Sequence, residues 1–248
     1  YLMAGTNNMC INVGKSQFHL PTHQQAQVLT GHTGLVIPHR DALLERLAAV
    51  KDALADTRFA YAEHNDYVEV TCPWGNRMRC YEPGERFGAM RLGMPYVEIL
   101  TPEGTAAGIA RFYNEIMDTS AEATQEDGAA IARVAAGDGQ ALIFRETDGA
   151  LPDYDGHHIA VYLADFSGPY KKLLERGMVS EESDQHQYRF LDIFDPADGK
   201  ALVRIEHEVR SMRHPMYARP LVNRDPRMNN RNYVPGYEDN AFAMPPGY

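Results

Sequence analysis

Charged residues alternate along Arg204-Ile205-Glu206-His207-Glu208-Val209-Arg210. In an extended strand, successive side chains point to opposite faces. Arg204, Glu206, Glu208 and Arg210 then share one face, and Ile205, His207 and Val209 share the other. Two carboxylates between two guanidiniums allow two readings. They form a solvated, salt-bridged outer face, or they line a polar cavity in which one carboxylate holds a metal. Two other stretches show the same parity. In Tyr96-Val97-Glu98-Ile99-Leu100, Tyr96 and Glu98 face away from the apolar pair. In the run from His158 to Leu163, His158, Ala160 and Tyr162 oppose Ile159, Val161 and Leu163. Polar residues segregated to one side of three strands are what a cavity backed by helices requires.

The elements that position these residues repeat. Gly14 to Pro21 reads as a short strand stopped by proline, and Gly31 to Ile37 as a second strand. Asp41 to Leu54 carries an apolar stripe at Leu43, Leu47, Val50 and Leu54, which predicts a helix. Two strands around His64-Asn65-Asp66 follow, then a turn at Cys72 to Asn76 and a strand at Arg77 to Tyr81. After a linker over Pro83 to Gly93 the order recurs. Tyr96 to Leu100 is a strand, Thr105 to Met117 a helix, and Ala129 to Arg145 a hairpin around Gly137-Asp138-Gly139. A third round begins at His158 and continues in a helix capped by Ser167 and stopped at Gly177. It ends in strands at Gln187 to Phe194 and Ala201 to Arg210. The reading divides the chain into an N-terminal part (1–88), a part holding the candidate site (89–211) and an extended tail (212–248).

Bulk properties narrow the partners. The 248 residues carry 24 Lys and Arg against 34 Asp and Glu, a net charge of −10, which argues against nucleic acid or an anionic membrane. No apolar run approaches the roughly 20 residues of a membrane span. Cys10, Cys72 and Cys80 show no CxxC spacing, which favours a reducing, cytoplasmic setting. No basic stretch leads into an apolar one at the start, and the sequence does not open with Met, so residues before Tyr1 are left open. The expected partner is a small molecule, with homo-oligomerisation undecided.

Repeated βαβββ units, with a His opening one first strand and a carboxylate on the last, resemble the vicinal oxygen chelate superfamily of glyoxalases, extradiol dioxygenases and drug-resistance proteins. The resemblance runs from about Gly14 to Arg210. Cys72-Pro73-Trp74-Gly75-Asn76-Arg77 is similar to the superfamily's DPDGN turn. The stretch from His157 to Gly177, with Asp198 to Arg210, is similar to the second metal-bearing unit of hydroxyphenylpyruvate dioxygenases. The resemblance implies an α+β fold of tandem βαβββ modules forming curled half-barrel sheets with helices outside. It makes the first twenty residues the tail end of a unit whose opening is missing or degenerate.

By the same match Glu206 is the metal carboxylate and His158 a metal histidine. Tyr96 stands where the other histidine is due, and Glu98 on its face substitutes, giving Glu98, His158 and Glu206 as ligands. Glu208 is the fallback ligand or an ion-pair partner of Arg204 or Arg210. Tyr96, Tyr162, Glu208 and Arg210 are the expected substrate contacts. These N/O ligands suit a divalent metal, Fe(II) first, then Mn(II), Ni(II) or Zn(II). The implied function is a metal-dependent small-molecule enzyme, with a dioxygenase as one form of it. The alternative is a non-catalytic small-molecule binding or resistance protein on the same fold. His19 and His32 are expected to face a second cavity. Arg79 replaces an acid there, so that half is read as structural or anion-binding.

Overall fold

The computed structural model describes residues 2–4, 8–183, 186–214 and 217. The chain opens with an antiparallel meander of β1 (Leu2–Ala4), β2 (Asn8–Val13) and β3 (Ser16–Pro21). Three strand–helix–strands units follow. The first comprises β4 (Gly31–Val36), α1 (Arg40–Val50), β5 (Ala60–Glu63), β6 (Tyr67–Thr71) and β7 (Arg77–Tyr81). The second comprises β8 (Gly93–Pro102), α2 (Ala106–Glu115), β9 (Ala121–Glu126), β10 (Ala129–Gly137) and β11 (Gln140–Thr147). The third comprises β12 (His158–Leu163), α3 (Ser167–Leu174), β13 (Val179–Ser183), β14 (Gln187–Phe194) and β15 (Ala201–Ser211).

In every unit the first strand lies parallel to the last. Parallel neighbours cannot be joined by a tight turn, so the helix and two intervening strands make the crossover. The remaining pairs within each unit are antiparallel. β4 and β8, the first strands of two units, then pair antiparallel, which fuses those units into one eight-stranded sheet of order β5-β6-β7-β4-β8-β11-β10-β9. The third unit forms a four-stranded sheet, β12-β15-β14-β13. The result is the α+β architecture of open mixed sheets that the repeated order implies. The 83–93 segment, read as a linker, joins two units of a single sheet, so the second unit pairs with the one before it and not with the one after.

α2 lies between the two sheets. Ile109, Phe112 and Tyr113 on it are buried against Phe144 and Leu142 of β11 and against Phe190 and Phe194 of β14. Phe112 is fully buried, a placement that contributes about 1.5–3 kcal/mol relative to exposure. A separate core beneath α1 joins Leu35, Leu47, Val68, Val70 and Cys80 to Val13 of β2.

Two local features differ from the sequence reading. β9 and β13, with sequences AEATQE and VSEES, are largely exposed edge strands that lack the apolar alternation of the others. Ser167 does not cap α3; the Asp165 carboxylate accepts from the backbone N–H groups of Ser167 and Gly168 at 3.2 and 2.9 Å. Gly177 does stop the segment after α3, at φ 65°. The expected extended course of the tail from residue 218 lies outside the described residues.

Candidate functional site

The charged face of β15 is not a solvated stripe. The parallel register sets His158 opposite Glu206, Ala160 opposite Glu208 and Tyr162 opposite Arg210. The antiparallel register with β14 adds Arg189 opposite Glu208 and Gln187 opposite Arg210. Glu208 and Arg210 are only 4% and 5% exposed. Charges held that far from water must be paired, and they are. The Arg210 guanidinium donates to Glu208 through Nε at 2.7 Å, and its Nη1 donates to the Tyr162 hydroxyl at 3.1 Å. Arg189 bridges both acids, with Nη1 2.6 Å from Glu206 Oε1 and Nη2 3.1 Å from Glu208 Oε2. Only the outermost member of the stripe behaves as the solvated reading requires: exposed Arg204 pairs with Asp192 at 2.8 Å.

Burial alone would raise the Glu208 carboxyl, but the Arg210 and Arg189 guanidiniums outweigh it and hold it below the usual carboxylate range. His158 Nε2 stands 3.8 Å from Glu208 Oε2. His19, on β3, lies within the field of the same group. Burial, then Arg210, opposed by Glu208, lowers its imidazole to about 4, with His158 adding to the effect. His214 is lowered to about 4 by burial and Arg210. Both imidazoles are therefore neutral at pH 7, which is the form that ligates metal or accepts a proton.

Glu98 belongs to a different group. It pairs in register with His32 of β4 on the eight-stranded sheet. Its Oε2 accepts from Arg145 Nε at 3.0 Å, and its Oε1 lies 3.4 Å from His32 Nδ1. His32 Nε2 meets the Tyr96 hydroxyl at 3.0 Å, and that hydroxyl meets the Tyr81 hydroxyl at 2.8 Å. With a carboxylate beside Nδ1, the proton is assigned there and Nε2 accepts from Tyr96. Burial, with Arg79, Arg77 and Arg145 nearby, lowers His32 to about 3. Burial pushes the Tyr96 phenol far up, so it stays protonated. Gly34 is needed for this arrangement, because a Cβ there would come within 2.3 Å of the Tyr96 ring.

The structure thus divides the residues singled out in the sequence. His158, Glu206, Glu208, Arg210 and Tyr162 come together on the four-stranded sheet, and His19 joins them. Glu98 and Tyr96 sit with His32 on the eight-stranded sheet, so His19 and His32 do not share a cavity. Among the described residues, no three His, Cys, Asp or Glu side chains form a ready-made metal cage. Arg189 and Arg145, central to the two groups, escaped notice in the sequence. Strand parity pointed to Arg189, which alternates with apolar Tyr188 and Phe190. Trp74, in the turn before β7, is 59% exposed.

Two sheets built from units whose first and last strands pair in parallel define a class of fold. Variants of glyoxalase I from Zea mays share it, with TM-scores of 0.53 and 0.50 at 10% and 13% identity, over 82% of this chain and 78% of theirs. A putative dioxygenase from Bacillus subtilis aligns over 85% of this chain and 75% of its own at 16% identity and a TM-score of 0.49. No family model matches the sequence, and no curated protein sequence matches it. The chain has the fold of the vicinal oxygen chelate superfamily.

Proposed function

We propose that the chain is a metal-dependent small-molecule enzyme of the vicinal oxygen chelate type, with its site on the β12–β15 face. The register pairing of His158 with Glu206 carries the reading, since it sets an imidazole and a carboxylate side by side on one polar face. The 3.8 Å between His158 Nε2 and Glu208 Oε2 is a separation that one ion, bound about 2.0–2.2 Å from each, can span. His158, Glu206 and Glu208 would hold a divalent ion, with Fe(II) the first candidate and Mn(II), Ni(II) or Zn(II) the others. When bound, such an ion supplies Lewis acidity toward the oxygens of a chelating substrate. Arg189 aims both carboxylates, and Arg210 fixes Glu208 and the Tyr162 hydroxyl. Tyr162 and Arg210 are the contacts for substrate oxygens. A dioxygenase reaction rests on the motif resemblance alone.

A second reading is favoured by one observation: Arg189 and Arg210 already neutralise both carboxylates. A non-catalytic binder on this fold needs no metal. One experiment separates the two. The purified protein is incubated with Fe(II), Mn(II), Ni(II) or Zn(II), freed of excess ion and subjected to elemental analysis. The enzyme reading expects about one ion per chain, lost in His158→Ala and Glu206→Ala. Uptake of none of the four ions would falsify it, and a ligand-dependent rise in melting temperature without metal would then support the binder.

A further inference from the structure

His207 stands on the core face of β15, between Ile205 and Val209, and has no solvent exposure. The chemistry proposed above does not use it. A wholly buried imidazole is kept without penalty only where both nitrogens have partners, and both do. Nδ1 lies 2.9 Å from the Ile205 carbonyl, and Nε2 lies 2.5 Å from the Tyr113 hydroxyl on α2. A carbonyl only accepts, so Nδ1 carries the proton, and the neutral ring takes the Tyr113 O–H at Nε2. Phe190 of β14 stacks on the imidazole at 4.3 Å, which holds its plane.

The strand register gives these bonds a purpose. β14 and β15 pair Phe190 with His207 and then Asp192 with Arg204, so Ile205 and Glu206 together face Leu191 alone. Such a bulge interrupts the ladder and re-aims the side chain that it carries. The His207 imidazole takes the Ile205 carbonyl at that interruption. On the other side of β15, the ladder with β12 opens at His158 and Glu206. There the Tyr154 hydroxyl accepts from the Glu206 N–H at 3.2 Å and donates to the His157 carbonyl at 2.8 Å, bridging the two strands. The Ile205 carbonyl and the Glu206 N–H belong to one peptide group. That group is planar and rigid, so holding both of its ends sets the direction in which the Glu206 side chain leaves the strand.

We propose that Tyr113, His207 and Tyr154 are positioning residues for the Glu206 carboxylate, so that α2 of the second unit sets the site carried by the third. Their effect on a metal rests on the reading of Glu206 as its ligand; their effect on the Glu206–Arg189 pair does not. The test measures Mn(II) and Zn(II) affinity by calorimetry and, without metal, the NMR signals of the Arg189 guanidinium, whose Nη1 lies 2.6 Å from Glu206. Tyr113→Phe and Tyr154→Phe keep the ring and lose only the hydroxyl. Each should weaken ion binding about tenfold, the scale on which outer hydrogen-bond partners act on a metal ligand, and shift the Arg189 signals. Tyr188→Phe is the control. The Tyr188 hydroxyl is buried in the same core with no hydrogen-bond partner among the described residues, so neither readout should move. Imidazole nitrogen shifts of the wild type should place the His207 proton on Nδ1. If the wild type binds neither ion, the metal reading falls and the Arg189 signals alone decide the positioning. Tyr154→Phe and the His207 tautomer keep the test open if Tyr113→Phe fails to fold. Arg189 signals unchanged in Tyr154→Phe or in a folded Tyr113→Phe, ion affinity unmoved by these changes in a protein that binds, a His207 proton on Nε2, or an equal response in Tyr188→Phe would overturn the proposal.

Discussion

Replacing Glu208 with Ala removes the acid on which two arginines converge. Arg210 is 5% exposed and gives Nε and Nη2 to Glu208. Among the described residues it then keeps neutral acceptors, Gln187 Oε1 and the Tyr162 hydroxyl, each at 3.1 Å. Removing one partner of a buried pair costs about 3–5 kcal/mol, because the other charge stays behind. The two neutral bonds offset part of this, so a loss of about 3 kcal/mol is expected. Glu206→Ala is the internal comparison. That carboxylate is half-buried and bonds Arg189, which keeps Glu208, so about 1 kcal/mol is expected. Urea unfolding followed by far-ultraviolet circular dichroism reads both values as shifts of midpoint at constant slope. The Glu208 carboxyl is depressed in the folded protein, so its contribution is present above the ordinary value of 4.5 and is lost as pH falls through the folded value. The gap between wild type and Glu208→Ala should therefore close in acid. A Glu208→Ala cost below about 1 kcal/mol, or a Glu206→Ala cost equal to it, would refute the view that β15 is held by an internal ion pair.

Gly34→Ala should displace the Tyr96 ring, whose atoms lie 2.3–2.7 Å from the added Cβ. A cost of about 1–3 kcal/mol is expected, with the Tyr96 bonds to His32 and Tyr81 lost; chemical unfolding and the His32 ring resonances report the two effects. His32 should stay neutral down to about pH 3 in an NMR titration. Because its folded value is lowered from 6.5 to about 3, its stabilising contribution is full above pH 6.5 and is lost as pH falls through 3, so His32→Gln should flatten the acid limb of stability against pH. A His32 that titrates near 6.5 would remove the case for three arginines crowding it.

Alternation and punctuation made most of the fold legible. The helices α1 and α2, the hairpin at Gly137-Asp138-Gly139 and the stop at Gly177 all rest on local periodicity or turn chemistry, although Val50 of the expected α1 stripe is exposed. The edge strands β9 and β13 did not, because an exposed edge needs no apolar alternation. The candidate site was legible only in part. His158, Glu206, Glu208, Arg210 and Tyr162 share one face because parity is a property of the strand itself. Which strands become neighbours is not, and that is why Glu98 was grouped with His158 when its ladder partner is His32. Side-chain parity says which way a residue points but not which sheet it points across.

α2 has a consequence for how the molecule comes apart. The second unit shares its sheet with the first, through β4 and β8, and shares its core with the third, through α2. Hydrogen bonding and hydrophobic packing therefore divide the chain at different places. Cutting in the 83–93 segment would strip β8 of its β4 partner, while cutting after β11 would bare the apolar flank of α2. Neither cut leaves two finished pieces, so 31–211 should melt as one cooperative unit, with no stable half available as a folding intermediate.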